Sequence, residues 1–177
     1  MTIEYEAKVL GIDPPATEAL ILRHGGEKLG DRLQRRYVYD IEPGDQSRWV
    51  RLRDTGDVIT LAVKEIRSDA IDGTSETEVT VDDFEKTNAL LNKLGYRPKS
   101  YQENRRVSFR LGHARLEIDH WPLIPPYLEI EADSVAGVKE AATVLGYDEA
   151  DLTGENTVQV YARYGIDLGA LAEVRFE

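Results

Sequence analysis

The strand-like segments of this sequence carry charged residues at alternate positions, and this pattern constrains its fold more than any other feature. Near the start, Glu4, Glu6 and Lys8 alternate with Tyr5 and Ala7. Successive side chains of a β-strand point to opposite faces, so this segment has one charged and one largely apolar face. The alternation recurs at Arg51 and Arg53, Glu76 and Glu78, Glu117 and Asp119, and Glu129 and Glu131.

The charged faces carry pairs of one sign, which distinguishes them from an ordinary solvated sheet face. Like charges on one face repel, and exposed sheet faces usually mix both signs. A single such strand is compatible with a sheet that has one wet side. Because the pattern recurs, the sequence indicates that these faces share one interior, where metal ions and a polyanion neutralise them.

Turn and cap signals divide the rest of the chain into further predicted strands and helices. Asp and Gly at predicted turns favour hairpins, and Asp, Ser and Asn are preferred helix N-caps. After the opening strand, we expect strands near 33–42, 48–54, 57–66, 74–81, 100–111, 113–119 and 127–132. We expect helices capped by Asp13, Asp82, Ser134 and Asn156.

Eight such strands are enough to close a barrel around one small ligand. We therefore predict an α+β fold with a single domain over residues 1–177. An eight-stranded, mostly antiparallel β-barrel over about 2–132 forms a tunnel, and the helices, including C-terminal ones over about 134–168, pack outside it. The predicted inward residues also include Lys64, Arg106 and Arg110, the last two because Val107, Phe109 and Leu111 mark the outward parity of their strand.

The composition limits the classes of function. The net charge of −11 argues against a nucleic-acid surface, which needs a basic face, and the absence of cysteine excludes disulfides and thiolate chemistry. No apolar run approaches the length of a membrane span, and no basic segment followed by an apolar run opens the chain. We expect a cytoplasmic protein that binds neither membrane nor nucleic acid.

Carboxylate clusters without neighbouring histidine suit hard cations such as Mg²⁺ or Mn²⁺, which prefer oxygen ligands. Arginine binds phosphate bidentately, and lysine binds it as a point charge. An interior that combines both kinds of residue is typical of a metal-assisted polyphosphate site.

Several motifs, in order along the chain, resemble the CYTH superfamily, or triphosphate tunnel metalloenzymes. They are the opening EYEAK, the RLR of 51–53, the AVKE around Lys64, the ETE of 76–78, the RRVSF around Arg106, the LEID ending at Asp119 and the YLEIE ending at Glu131. The resemblance implies an antiparallel tunnel that binds a triphosphate with Mg²⁺ or Mn²⁺. Members of this family include class IV adenylyl cyclases, thiamine triphosphatases and inorganic triphosphatases.

The resemblance also implies roles for individual residues. Glu4, Glu6 and Lys8 are expected to be catalytic, and two positions depart from the family pattern: Arg36 stands where many members carry an acid, and Asn104 where a lysine is frequent. The expected metal ligands are Glu4, Glu6, Glu117, Asp119, Glu129 and Glu131, with Glu76 and Glu78 as further candidates. The expected triphosphate-binding residues are Lys8, Arg51, Arg53, Lys64 and Arg106, with Arg110 as a further candidate.

The leading functional hypothesis is metal-dependent hydrolysis of inorganic, nucleoside or thiamine triphosphate. A class IV adenylyl cyclase, which converts ATP to cyclic AMP and pyrophosphate, needs the same set of charges, and so does a non-catalytic polyphosphate-binding module. The partner is expected to be the small-molecule triphosphate, bound by a monomer or a homodimer.

Overall fold

A closed barrel of eight antiparallel strands forms the body of the protein, as the alternation of charges predicts. The structure is a computed structural model and describes residues 2–177. Around the barrel the strand order is β6-β2-β3-β4-β5-β1-β8-β7, and β7 pairs again with β6. The strands are Thr2–Leu10 (β1), Glu27–Asp40 (β2), Arg48–Asp54 (β3), Ile59–Ile66 (β4), Thr74–Val81 (β5), Ser100–Leu111 (β6), Ala114–His120 (β7) and Tyr127–Ala132 (β8).

Helices pack on the outside of this barrel. Asp13 and Ser134 cap the helices they were predicted to cap, but the second helix is capped by Asp83, one residue later than predicted, because its side chain accepts a hydrogen bond from the backbone N–H of Lys86. The α-helices of the described chain are Pro14–Arg23 (α1), Phe84–Lys93 (α2), Val135–Val144 (α3) and Thr157–Arg163 (α4). Two 3₁₀ turns cover Glu149–Asp151 and Leu168–Ala170.

The main hydrophobic core lies between the outer faces of the strands and these helices, and not inside the barrel. Its fully buried members include Leu116 of β7, Leu128 and Ile130 of β8 and Val138 of α3. Burial of apolar side chains supplies the main favourable term in folding. Because the apolar sides of the strands meet this outer core, their charged sides are forced inward.

The second strand is longer than predicted and begins at Glu27. The pairing register of β2 with β6 shifts between Lys28 and Gly30, and a side chain at Gly30 would collide with the guanidinium of Arg32. The glycine and the register shift interrupt the alternation on which the prediction depended. Two strands of two residues each, Leu152–Thr153 (β9) beside β1 and Glu173–Val174 (β10) parallel to β6, are too short to give a sequence pattern.

No helix within residues 2–177 is long and apolar enough to cross a membrane.

Candidate functional site

A cavity of about 830 Å³ occupies the barrel and reaches both of its ends. At one end it is lined by Arg32, by Asp57 of the β3–β4 hairpin and by Arg115 at the start of β7. At the other it is lined by Trp49 and by the first turn of α4. The predicted inward face of each strand therefore surrounds one continuous space.

One wall of the cavity, formed by β1, β8 and β7, is acidic and contains a buried lysine. Lys8 is 2% exposed, and its ammonium group lies 3.0 Å from Glu6 and 3.3 Å from Glu129. Burial opposes the charge of Lys8, but these two carboxylates outweigh it and raise its pKa. The pKa of Glu129 is lowered in turn, because Arg106 and Lys8 outweigh the effect of burial. Lys8 therefore stabilises the carboxylates of this wall.

Arg106 projects from β6 toward the same acidic wall. Its guanidinium forms ion pairs with Glu117 at 3.1 Å, Glu129 at 3.0 Å and Asp119 at 2.5 Å. Burial opposes its charge, but the three carboxylates raise its pKa well above the ordinary value. Asp119 is fully buried, does not line the cavity and accepts a further hydrogen bond from Asn104. The structure therefore places Asp119 behind Arg106, where it orients the guanidinium.

The opposite wall, formed by β2 and β3, is basic. Arg36 and Arg53 face each other directly across the two strands, and Arg51 is the next inward residue of β3. The Nε–H groups of all three are buried and have no hydrogen-bond acceptor within residues 2–177. The charge of Arg51, together with burial, lowers the pKa of Arg53 to about 10. Like charges directly opposite on a sheet destabilise it, so a bound anion would stabilise this wall.

Ion pairs within β3, β4, β5 and β1 link the two walls. Arg51 contacts Glu76 at 2.7 Å, Lys64 contacts Glu4 at 2.8 Å, and Arg53 lies 3.5 Å from Glu78. Glu76 and Glu78 therefore point into the cavity, and they pair with the arginines of β3. The geometry gives these two acids a role in orienting the arginines.

The carboxylates at the β1 edge of the acidic wall offer the oxygen donors that hard divalent cations prefer. Desolvation and the nearby Glu129, Glu6 and Glu4 raise the pKa of Glu131 to about 7, and burial and Glu76 raise that of Glu4. Both shifts arise first from burial and then from neighbouring carboxylates, and a bound cation would oppose both. Among residues 2–177 no three carboxylates are arranged to bind one ion; Lys8 contacts Glu6, and Lys64 contacts Glu4. The donor chemistry nevertheless matches Mg²⁺ or Mn²⁺.

The structure brings most of the predicted site residues together. Arg110 is an exception, because its side chain is 61% exposed and pairs with Glu27 outside the cavity. The predicted residues that line the cavity are Glu4, Glu6, Lys8, Arg51, Arg53, Lys64, Glu76, Glu78, Arg106, Glu117, Glu129 and Glu131. Lining residues outside the predicted set include Gln34, Arg36, Trp49, Gln102, Arg115, Trp121 and Tyr127. The alternation of Arg32, Gln34 and Arg36 in β2 was the available signal for the second strand.

Comparisons with known proteins agree with this architecture. The model of the CYTH domain family matches residues 2–154. In fold, the chain is similar to the PH1012 protein of Pyrococcus horikoshii OT3, with a TM-score of 0.76, 19% identity, and 89% of this chain and 99% of that one covered. It is also similar to a proposed adenylate cyclase of Vibrio parahaemolyticus, with a TM-score of 0.74, 14% identity and coverage of 91% and 98%.

A third structure of similar fold is HpAC1 of Hippeastrum, a proposed adenylyl cyclase described as having a dominant triphosphatase activity. Its TM-score is 0.59 at 17% identity, with 93% of this chain and 96% of that one covered. No curated protein matches the chain.

The tunnel fold and its lining of opposite charges define a protein of the triphosphate tunnel type. This chain belongs to the CYTH domain family, which includes triphosphatases and adenylyl cyclases. Enzymes of this family bind triphosphates and are generally metal-dependent.

Proposed function

We propose that this protein hydrolyses a triphosphate inside its barrel with the help of a divalent cation. The observation that supports the proposal most strongly is the basic wall, where the buried Nε–H groups of Arg51 and Arg53 have no acceptor among the described residues and their charges repel each other. Guanidinium groups form strong, charge-assisted hydrogen bonds with phosphate oxygens. A bound triphosphate would both satisfy these donors and offset the repulsion.

The acidic wall would complete the site. Glu4, Glu6 and Glu131 would hold Mg²⁺ or Mn²⁺, with Glu129 and Glu117 beside them. When bound, the ion supplies neutralisation of phosphate charge and activation of water.

The residues of the chain itself would bind and orient the substrate. Arg51, Arg53 and Lys64 would hold the phosphates, while Glu76 and Glu78 keep the two arginines extended into the cavity. Transfer of a phosphoryl group depends mainly on such positioning and on charge stabilisation. Lys8 and Arg106 would act indirectly, because their ion pairs fix the orientation of the acidic side chains.

A panel of substrates tests this proposal. The purified protein is incubated with inorganic triphosphate, ATP and thiamine triphosphate, each with Mg²⁺, with Mn²⁺ and with EDTA. Release of orthophosphate that EDTA abolishes is the expected result. Cyclic AMP and pyrophosphate from ATP would instead establish the cyclase reaction, and tight binding of a triphosphate without any turnover would establish a binding module.

A further inference from the structure

Arg36 is a buried arginine of the cavity to which the family resemblance gives no role. It lies in β2 with its side chain directed inward, is 7% exposed, and pairs in register with Arg53 on one side and Gln102 on the other. Cationic side chains are almost never this deeply buried unless they are paired. Its position therefore needs a physical explanation.

The side chain of Arg36 is held in place by neutral groups. Its guanidinium stacks 4.7 Å from the ring centre of Trp121, which in turn packs edge-to-face against Tyr161 of α4. One terminal nitrogen donates a hydrogen bond to the amide oxygen of Asn104, and that amide is fixed by its own bond to Asp119. Stacking on Trp121 and the hydrogen bond to the Asn104 amide orient the guanidinium without neutralising its charge.

No acid of the described chain forms an ion pair with Arg36, and its surroundings are cationic. Its Nε–H is buried and finds no acceptor in the part of the chain that the structure describes. Burial and the charges of Arg51, Arg53 and Arg106 lower its pKa well below the ordinary value, although Asp119 acts in the opposite direction. Because a guanidinium stays protonated in proteins, the free protein carries an uncompensated charge at this point.

We propose that Arg36 binds a phosphate group of the substrate together with Arg53, which faces it across β2 and β3. This inference depends on the proposed function, since it names a further residue of the same triphosphate site. A polyanion between the two guanidinium groups would convert their repulsion into shared attraction and would give the free Nε–H its acceptor. Arg36 therefore favours the bound state at the expense of the free protein, as functional residues frequently do.

A purely structural role for Arg36 makes the opposite prediction. If stacking on Trp121 and the bond to Asn104 served only to stabilise the barrel, replacement of Arg36 would destabilise the free protein and leave ligand affinity unchanged. If Arg36 binds phosphate, replacement would leave the free protein as stable or more stable and would weaken ligand binding. The two roles therefore predict different changes in the stability of the free protein, and only phosphate binding predicts a loss of ligand affinity.

The experiment compares Arg36→Gln with Arg35→Gln as a matched control. Arg35 is the adjacent residue, but it points out of the barrel, where it contacts Asp54 and stacks on Phe84. Thermal unfolding is measured on the free protein. Calorimetric titration with inorganic triphosphate is carried out in EDTA, to prevent turnover, and again with Ca²⁺.

For Arg36→Gln we expect an unfolding temperature equal to or above that of the wild type and a Kd raised about tenfold or more, the usual size of a lost charge-assisted bond. For Arg35→Gln we expect an unchanged Kd.

Each outcome either supports or overturns the inference. Wild-type protein that binds inorganic triphosphate while Arg36→Gln binds it equally well would overturn the role of Arg36 and leave the proposed function standing. A wild type that shows no binding in either condition would overturn both. If Arg36→Gln does not fold, Arg36→Lys replaces it: lysine keeps the charge but loses the planar fork, so we expect a Kd raised about threefold, and an unchanged Kd would overturn the inference.

Discussion

Two adjacent arginines of β6 give a sharp test of the charged interior. Arg106 points into the cavity and contacts three carboxylates, whereas Arg105 points outward and contacts Asp31 through two hydrogen bonds of 2.7 and 2.6 Å. Arg106 likewise binds Asp119 through two hydrogen bonds, of 2.8 and 2.5 Å, so the two arginines differ mainly in burial. The perturbation is the same for both residues: substitution by glutamine, which removes the charge and keeps most of the side-chain volume.

The expected magnitudes follow from burial. Arg106 is 15% exposed, and its partners Asp119 and Glu117 are 0% and 2% exposed. Removal of one partner from a buried ion pair costs about 3–5 kcal/mol, because the remaining charge stays buried without compensation. Arg105 is 57% exposed, so solvent screens its ion pair, and such surface pairs contribute about 0–1 kcal/mol.

Equilibrium unfolding in urea, followed by circular dichroism, measures both costs. With a slope of about 2 kcal/mol per molar urea, Arg106→Gln is expected to lower the midpoint by ~1.5–2.5 M, and Arg105→Gln by less than about 0.5 M. Equal midpoint shifts for the two variants would contradict this expectation, since they would mean that a charge costs the same to leave unpaired inside the barrel as on its outer surface.

Three further predictions concern the walls of the cavity. Lys8→Met is expected to lower the free energy of unfolding by about 3–5 kcal/mol, because Glu6 and Glu129 both lose a buried cationic partner. Urea unfolding should show that the double variant Lys8→Met/Glu129→Gln recovers most of the lost stability. A double variant as unstable as Lys8→Met would contradict the pairing of Lys8 with Glu129. Glu4→Gln with Glu6→Gln is expected to abolish metal-dependent turnover while circular dichroism stays native, and full activity would exclude the ligand role. Arg53→Ala should weaken triphosphate binding more than diphosphate binding in calorimetric titrations, and equal losses would argue against a phosphate contact.

The sequence predicts the barrel and most of its inward face because the period of two survives in most strands. Glu4, Glu6 and Lys8 line the cavity, as do Arg51 and Arg53. The apolar residues between them enter the outer core, so the hydrophobic pattern fixes which face turns inward.

Two side chains that were predicted to face the interior do not line the cavity, and each departure has a local cause. Arg110 shares the parity of Arg106, but it lies near the end of β6, where its side chain is exposed to solvent and pairs with Glu27. Asp119 also has inward parity, yet its contacts with Arg106 and Asn104 keep it out of the cavity. Parity predicts the direction of a side chain; it does not predict which neighbour will hold it.

The basic wall could not be recognised from β3 alone. Arg36 becomes informative only when the register places it opposite Arg53, and pairing between strands is not encoded in the alternation of either one. The contribution of α4 and of Trp121 to the cavity likewise depends on how the C-terminal residues pack. Oligomeric state, cytoplasmic location and the identity of the substrate stay predictions.

The most direct test of the account is a crystal structure of the wild-type protein grown with inorganic triphosphate and Mn²⁺, with anomalous diffraction used to locate the metal. We expect a triphosphate inside the barrel, in contact with Arg51 and Arg53, and manganese between its phosphates and the carboxylates of Glu4, Glu6 and Glu131. A barrel that holds no triphosphate under saturating conditions, or one with the ligand and metal bound on its outer surface, would contradict it.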